Sequence, residues 1–215
     1  MGKKTDSFQE AREEMVETQI AARGVTDERV LEAMRMVPRE KFVPAGERER
    51  AYADGPLPIA SRQTISQPYV VAFMTEKLGL LGEETVLEIG SGCGYQTAIL
   101  ARLCRRVFAI EYFEELADTA REIWGELGIE NIALRVGDGC PGWAEEAPFD
   151  AILAAAAAPS VPRAWIDQLK EGGRMILPVG TTSQSLILVE KRPDGIRQTD
   201  LMAVRFVPLL EASES

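Results

Sequence analysis

The residues Val86-Leu87-Glu88-Ile89-Gly90-Ser91-Gly92-Cys93-Gly94-Tyr95 join an apolar, strand-like run to a glycine-rich turn that opens a helix. Glycine lets such a turn close tightly and lets a ligand approach the free amides at the positive end of the helix. The chemistry on offer is the holding of a nucleotide-like ligand. A dinucleotide fingerprint needs its third glycine where Tyr95 stands, so Gly90, Gly92 and Gly94 obey a different spacing, with the acid Glu88 ahead of them. Taken alone, the turn is open to a second reading, a bend with no ligand.

Two acids follow in order. The next apolar run ends at Ile110-Glu111, about twenty residues after the turn, where open α/β sheets place a carboxylate on ribose hydroxyls. Val136-Gly137-Asp138-Gly139 then closes a third strand-like run with an acid between two glycines, suited to an adenine edge and equally to a plain turn. Three such features at three successive strand ends coincide by chance far less often than any one of them. Upstream, Gln63-Thr64-Ile65-Ser66-Gln67-Pro68-Tyr69 offers hydroxyls and amides just before a helix. Ser66 has two readings on residue chemistry alone: a helix cap with Pro68 in the first turn, or a polar group presented to a substrate.

The elements that must position these groups are legible from periodicity. Phe8 to Arg23, ending at Gly24, and Asp27 to Met36, stopped by Pro38, predict two amphipathic helices. Val43 to Pro68 is irregular and rich in proline and glycine, a length of chain that is usually functional in a compact domain. After a helix at Tyr69–Leu78, strands at Thr85–Ile89, Val107–Ile110, Ile132–Val136, Phe149–Ala154 and Met175–Pro178 alternate with helices at Tyr95–Leu103, Glu114–Leu127 and Pro162–Leu169. Alternation of this kind predicts a parallel sheet with helices on both faces. Ser185–Val189 and Val204–Val207, either side of the turn Pro193-Asp194-Gly195, predict a closing antiparallel pair.

Composition removes several classes. The 215 residues, 46% apolar, suffice for one core, and one domain over 1–215 is expected, with 1–78 preceding a core at 79–215. No run approaches the roughly 20 apolar residues of a membrane span, and Met1-Gly2-Lys3-Lys4-Thr5-Asp6 is charged where a secretory signal turns apolar, so a cytoplasmic location is expected. A net charge of −10, with acids running into the tail Glu211-Ala212-Ser213-Glu214-Ser215, leaves no face set up for phosphates, and no nucleic acid or membrane partner is expected. Cys93, Cys104 and Cys140 lack metal-ligand spacing, and the chain has no histidine to complete a mixed site, so no metal is expected.

The glycine turn resembles motif I of the Rossmann-like methyltransferases. Beside it stand Val37-Pro38-Arg39-Glu40-Lys41-Phe42, Ala51-Tyr52, Leu57-Pro58-Ile59, Gln63-Thr64-Ile65-Ser66-Gln67-Pro68, Leu87 through Gln96, Ala147-Pro148-Phe149-Asp150, Gly172-Gly173-Arg174, Pro178-Val179-Gly180 and Phe206-Val207-Pro208-Leu209. Together, from about Met15 to Leu209, these are similar to the protein-L-isoaspartate O-methyltransferase family. The segment around Ser66 is specific to that family.

The resemblance implies a mostly parallel seven-stranded sheet in a three-layer α/β sandwich, with an N-terminal helical addition covering one edge. It implies methyl transfer from S-adenosylmethionine to the free α-carboxylate of L-isoaspartyl residues in aged proteins, giving an ester that cyclises to a succinimide. Ser66 matches the active-site serine. Gly90, Gly92, Glu111 and Asp138, with Glu88, Ser91 and Gly139 beside them, match cofactor contacts, and Gln63, Thr64 and Ile65 match a segment closing over the methionine end. Isoaspartyl proteins are the implied partners, and a monomer is expected. Two rivals stay open: a relative acting on another carboxylate, and a non-catalytic S-adenosylmethionine-binding protein. Two departures bear on substrate preference, Ala60-Ser61-Arg62 where most relatives have Gly-x-Gly, and Ala155 where many have threonine or glycine.

Lack of histidine does not oppose this chemistry. A carboxyl with a pKa near 4 is ionised about a thousandfold over its acid at pH 7, so the attacking oxygen needs no base. What remains is positioning and exclusion of water.

Overall fold

Val107-Phe108-Ala109-Ile110 has no polar face to give to water, and the chain buries all four residues in the middle of a sheet. The structure is a computed structural model that describes residues 2–211, and the acidic tail beyond Glu211 lies outside the described residues. In chain order the strands are β1 (Leu57–Pro58), β2 (Thr64–Ile65), β3 (Thr85–Ile89), β4 (Arg106–Glu111), β5 (Ile132–Val136), β6 (Phe149–Ala154), β7 (Leu169–Val179), β8 (Gln184–Arg192) and β9 (Gly195–Val204). The α-helices are α1 (Gly2–Glu14), α2 (Glu28–Met36), α3 (Pro68–Leu78), α4 (Tyr95–Ala101), α5 (Glu114–Glu126) and α6 (Arg163–Gln168).

Seven strands form one sheet in the order β5-β4-β3-β6-β7-β8-β9. The first five run parallel, with Ile89 opposite Ile110 on one side and Ala154 on the other. β8 and β9 are antiparallel additions joined at Arg192 and Gly195 across a tight turn. The chain therefore reverses its lateral direction between β3 and β6, and the crevice at the carboxyl ends of those two strands is where this architecture binds ligands.

Alternate residues of the strands enter two cores. Val86, Val107, Ala151 and Leu153 pack with α3, α4, α5 and the N-terminal helices, while Leu87, Ile89, Phe108 and Ile110 pack with Trp165 of α6 and Leu169. This gives three layers, with the second face carrying, among the described residues, the six-residue α6 and loop residues such as Trp143.

The N-terminal helices lie against α3 and α4 rather than over a sheet edge. Glu76 of α3 fixes them, accepting the N–H groups of Thr26 at 2.6 Å and Asp27 at 3.0 Å. The expected helix over Phe8–Arg23 is α1 followed by a π-helical turn at Met15–Ile20 and a 3-10 turn at Ala21–Arg23. The wider turn brings residues five apart onto one face, so that Met15, Val16 and Ile20 are all buried.

The closing pair also differs from expectation. β9 is Gly195–Val204, so Val204–Val207 mostly follows the strand. As an edge strand exposed along Gly195–Gln198, it carries Arg197, Gln198, Thr199 and Asp200 and shows no apolar alternation to read. β7 begins at Leu169 rather than Met175, through the polar stretch Lys170–Arg174, and α4 and α6 end at Ala101 and Gln168. The irregular Val43–Pro68 region folds as short 3-10 turns and a two-stranded ribbon, Leu57 opposite Ile65 and Pro58 opposite Thr64.

Candidate active site

The carboxyl ends of β3, β4 and β6 open into a cleft enclosing about 770 Å³, its mouth included. Its walls are largely apolar, with Ile89, Ile110, Val71, Phe113 and Leu209, and backbone of the glycine turn forms its floor. Of the residues singled out in the sequence, Gln63, Thr64, Ile65, Ser66, Gly90, Ser91, Gly92, Glu111 and Gly139 line it. Glu88 and Asp138 do not.

Glu111 ties the turn to the sheet. Its Oε2 accepts the N–H of Gly92 at 2.6 Å and its Oε1 that of Phe113 at 2.9 Å. With about four acceptor sites in all, the carboxylate keeps capacity for a ligand hydroxyl. Burial raises the carboxyl's pKa, opposed by the backbone N–H groups of Phe113, Gly92 and Tyr112. The turn is further pinned by N–H donation from Gly90 and Ser91 to the carbonyl of Ile110, at 2.8 and 3.2 Å.

The three glycines of the turn differ in what requires them. Gly92 has φ +56, and an added Cβ would meet only Ile59 at an ordinary 3.6 Å. Gly94 has φ +86, and an added Cβ would lie 2.6 Å from the ring of Trp124, whose Nε1 donates to the Gly94 carbonyl. Packing demands Gly94, whereas Gly92 is open on the cleft side. Gly139 faces Ile89, 2.5 Å from a would-be Cβ, so it too has a packing reason.

Glu88 lies wholly buried behind the turn, and neither carboxylate oxygen finds a hydrogen-bond partner among the described residues. Burial pushes its pKa up to about 8; the nearby Thr97 hydroxyl opposes this and the Glu111 charge adds to it. The buried hydroxyl of Ser91, which lines the cleft, also lacks a partner among those residues. Asp138 sits between two cleft-lining glycines, with its Oδ1 accepting the N–H of Cys140 at 2.7 Å.

The β1–β2 ribbon folds over the glycine turn, with Ile59 against Gly92 and the Ser61 hydroxyl donating to Glu115 of α5 at 3.1 Å. Ser61 and Arg62, within the stretch Ala60-Ser61-Arg62, take φ values of 53° and 57°. This backbone favours glycine, so the chain holds here with two side chains a conformation that glycine adopts freely. Gln67, not Ser66, occupies the position before α3, and no side chain caps that helix. The capping reading of Ser66 is therefore set aside.

A second, more open groove of about 950 Å³, open solvent included, meets the cleft at Thr64, Ser66, Ala155 and Val207. Arg205 is the charged side chain lining it, in a chain of net charge −10. The sequence reading took the groove's far wall, Met202–Val207, only as the strand Val204–Val207 and the motif Phe206-Val207-Pro208-Leu209, not as the wall of a groove. Its place at the mouth follows from tertiary bonds, Ala157 N–H to the Val207 carbonyl and Leu209 N–H to the Ala157 carbonyl, each 2.8 Å.

A glycine turn at the switch point of a parallel sheet, an acid at the end of the adjoining strand and a cleft of apolar walls with unpaired polar groups suit a ligand that is part nucleoside and part amino acid. Fold and cleft together define a Rossmann-like methyltransferase that uses S-adenosylmethionine. A family model described as protein-L-isoaspartate(D-aspartate) O-methyltransferase matches residues 10–214, and the chain belongs to that family. It is 54% identical over 205 residues to protein-L-isoaspartate O-methyltransferase 1 of Syntrophobacter fumaroxidans, covering 95% of this chain and 96% of that one. It is 52% identical to the protein-L-isoaspartate O-methyltransferase of Syntrophus aciditrophicus, covering 95% and 96%. Among solved structures, a protein-L-isoaspartate O-methyltransferase superposes with a TM-score of 0.84 at 31% identity over 92% of this chain, which spans 65% of that longer one. A beta-aspartate methyltransferase from Plasmodium falciparum, in complex with S-adenosyl-L-homocysteine, superposes with a TM-score of 0.81 at 27% identity, covering 93% and 98%.

Proposed function

We propose that this chain transfers a methyl group from S-adenosylmethionine to the free α-carboxylate of L-isoaspartyl residues in damaged proteins, the first step of their repair. The observation that carries the reading is the junction at Ser66: an apolar-walled cleft and an open groove meet there, at a serine with no side-chain hydrogen bond among the described residues.

S-adenosylmethionine, when bound, supplies an electrophilic methyl on sulfur. Gly90, Ser91, Gly92 and Gly139 offer backbone and hydroxyl contacts along the cleft floor, and the remaining acceptor capacity of Glu111 serves the ribose. Asp138, between the cleft-lining Gly137 and Gly139, and Glu88, buried behind the glycine turn, complete the proposed cofactor set. Gln63, Thr64 and Ile65 close over the methionine end. The acceptor peptide lies along the open groove, and the Ser66 hydroxyl orients its carboxylate. Because that carboxylate is already ionised, the chain's work is alignment and exclusion of water, to which the apolar walls contribute. No metal enters, since an ionised carboxylate needs no Lewis acid, and chelators are expected to leave the rate intact.

The same reading takes 1–215 as one methyltransferase domain, monomeric and cytoplasmic, with no nucleic-acid or membrane partner. Among the described residues no helix is long and apolar enough to cross a membrane. The test is transfer of labelled methyl to an isoaspartyl peptide beside its aspartyl twin. The expected product is an ester that releases methanol in mild base. Base-stable label, or equal turnover of the twin, overturns the isoaspartyl assignment.

A further inference from the structure

Arg39 is buried to 0% exposure, and no carboxylate lies within ion-pair distance of it among the described residues. A guanidinium removed from water without a counter-charge is costly, so its contacts must account for its place there. Pro38 starts the short 3-10 turn Arg39–Lys41, and the buried Val37 and Phe42 seal it on either side. From this position Nε donates to the carbonyl of Ala51 at 2.8 Å and Nη2 to the carbonyl of Ser66 at 2.7 Å. The guanidinium carbon stands 4.9 Å from the ring centroid of Tyr95, and Nη1 finds no hydrogen-bond partner among the described residues.

These contacts join the two sides of the site. Ser66 is on the segment where cleft and groove meet, and Tyr95 opens the helix that follows the glycine turn; both line the cleft, whereas Arg39 does not. Little else holds the backbone at Ser66. The β2 pairing ends at Ile65 and α3 begins only at Pro68; of the two residues between, Gln67 is tethered by its Nε2 to Asp54 at 2.7 Å and by its carbonyl to the Val71 N–H at 3.1 Å. We infer that Arg39 is a positioning residue, fixing the Ser66 hydroxyl relative to the glycine-turn helix through the Ser66 carbonyl and the Tyr95 ring.

The choice of arginine fits this role. A planar fork spreads its donors to two carbonyls from separate segments and faces a ring at once, whereas a lysine ammonium gathers its donors at one point and has no plane to lay on the ring. A residue that merely filled space would set stability and leave the rate of the folded protein alone.

The inference rests on the methyl-transfer reading, and the test separates the two. In the full chain, Arg39→Lys and Arg39→Met are compared with the unaltered protein by kcat and KM on an isoaspartyl peptide and by calorimetry with S-adenosyl-L-homocysteine. Amide exchange is followed across residues 63–67, with β4 as internal reference. Arg39→Lys is expected to lower kcat about tenfold or more while KM and the homocysteine-product affinity stay within about threefold. Exchange across 63–67 is expected to quicken and that of β4 to stay unchanged. Wild-type kcat in Arg39→Lys, or unchanged exchange across 63–67, overturns the role of Arg39. If Arg39→Met does not fold, the lysine variant, which keeps the charge, decides. Turnover by the unaltered chain reports on methyl transfer itself, and exchange at 63–67 judges Arg39 whether or not that turnover is found.

Discussion

The backbone N–H of Gly92 donates to Glu111 at 2.6 Å, so the acid at the end of one strand holds the glycine turn at the end of its neighbour. Loss of that carboxylate removes a proposed ligand contact and loosens the turn together. Glu111→Ala is expected to weaken binding of S-adenosyl-L-homocysteine by about 1.5–3 kcal/mol, the range for hydrogen bonds to a charged group. Calorimetry checks this, and an unchanged dissociation constant would leave Glu111 with a structural part only.

Gly92 and Gly94 should fail in different ways. Gly94→Ala drives a Cβ to 2.6 Å from Trp124 at a left-handed φ, and is expected to destabilise the fold by about 2–4 kcal/mol. Gly92→Ala meets only an ordinary contact at 3.6 Å, so its folding cost is about 1–2 kcal/mol of backbone strain. Its main effect is expected on ligand affinity, because the new methyl stands on the open side of the turn. Paired melting and calorimetry separate the two, and wild-type affinity in Gly92→Ala would remove that position from the site.

What was legible in the sequence follows the same division. β4 could be read because a strand buried on both faces is apolar throughout, and Glu111 because a strand end fixes its place. β9 could not, since an edge strand exposed along much of its length need not alternate. Arg39 stands in the charged string Arg39-Glu40-Lys41 and reads as surface; only the fold reveals that it is buried under Ser66. The sequence grouped Glu88 and Asp138 with Glu111; strand alternation turns the buried Glu88 to the helix side, whereas Asp138 stays between the cleft-lining Gly137 and Gly139 with one carboxylate oxygen on the Cys140 N–H.

Glu88 gives a pH signature. Its carboxyl titrates near 8 in the folded chain, against an ordinary value of 4.5, because burial disfavours the anion. The unfolded chain therefore releases this proton first as pH rises. Stability from the group is complete below about pH 4.5 and falls by about 1.4 kcal/mol per pH unit toward pH 8. Glu88→Gln cannot titrate, so denaturation at several pH values is expected to show it gaining on the unaltered protein between pH 5 and about 8. A pH-independent difference between the two would mean that Glu88 is ionised in the folded chain.

Ser66→Ala is the sharpest test of the site. The serine stands where cleft and groove meet, and its hydroxyl makes no capping bond to α3, whose N-terminal flank is Gln67. Removing an oxygen that serves no structural bond should alter folding stability by less than about 0.5 kcal/mol. If the hydroxyl orients the acceptor carboxylate, affinity for S-adenosyl-L-homocysteine should stay near wild type while kcat on an isoaspartyl peptide falls about tenfold to a thousandfold. That fall corresponds to about 1.4–4 kcal/mol of transition-state stabilisation. Saturation kinetics, calorimetry and melting on one preparation read all three quantities. A loss of about 1 kcal/mol in stability with an unaltered rate would restore the structural role of a cap. A rise in peptide KM with kcat preserved would instead mean that Ser66 binds the acceptor equally before and during transfer, placing the alignment of carboxylate and methyl on other groups of the junction.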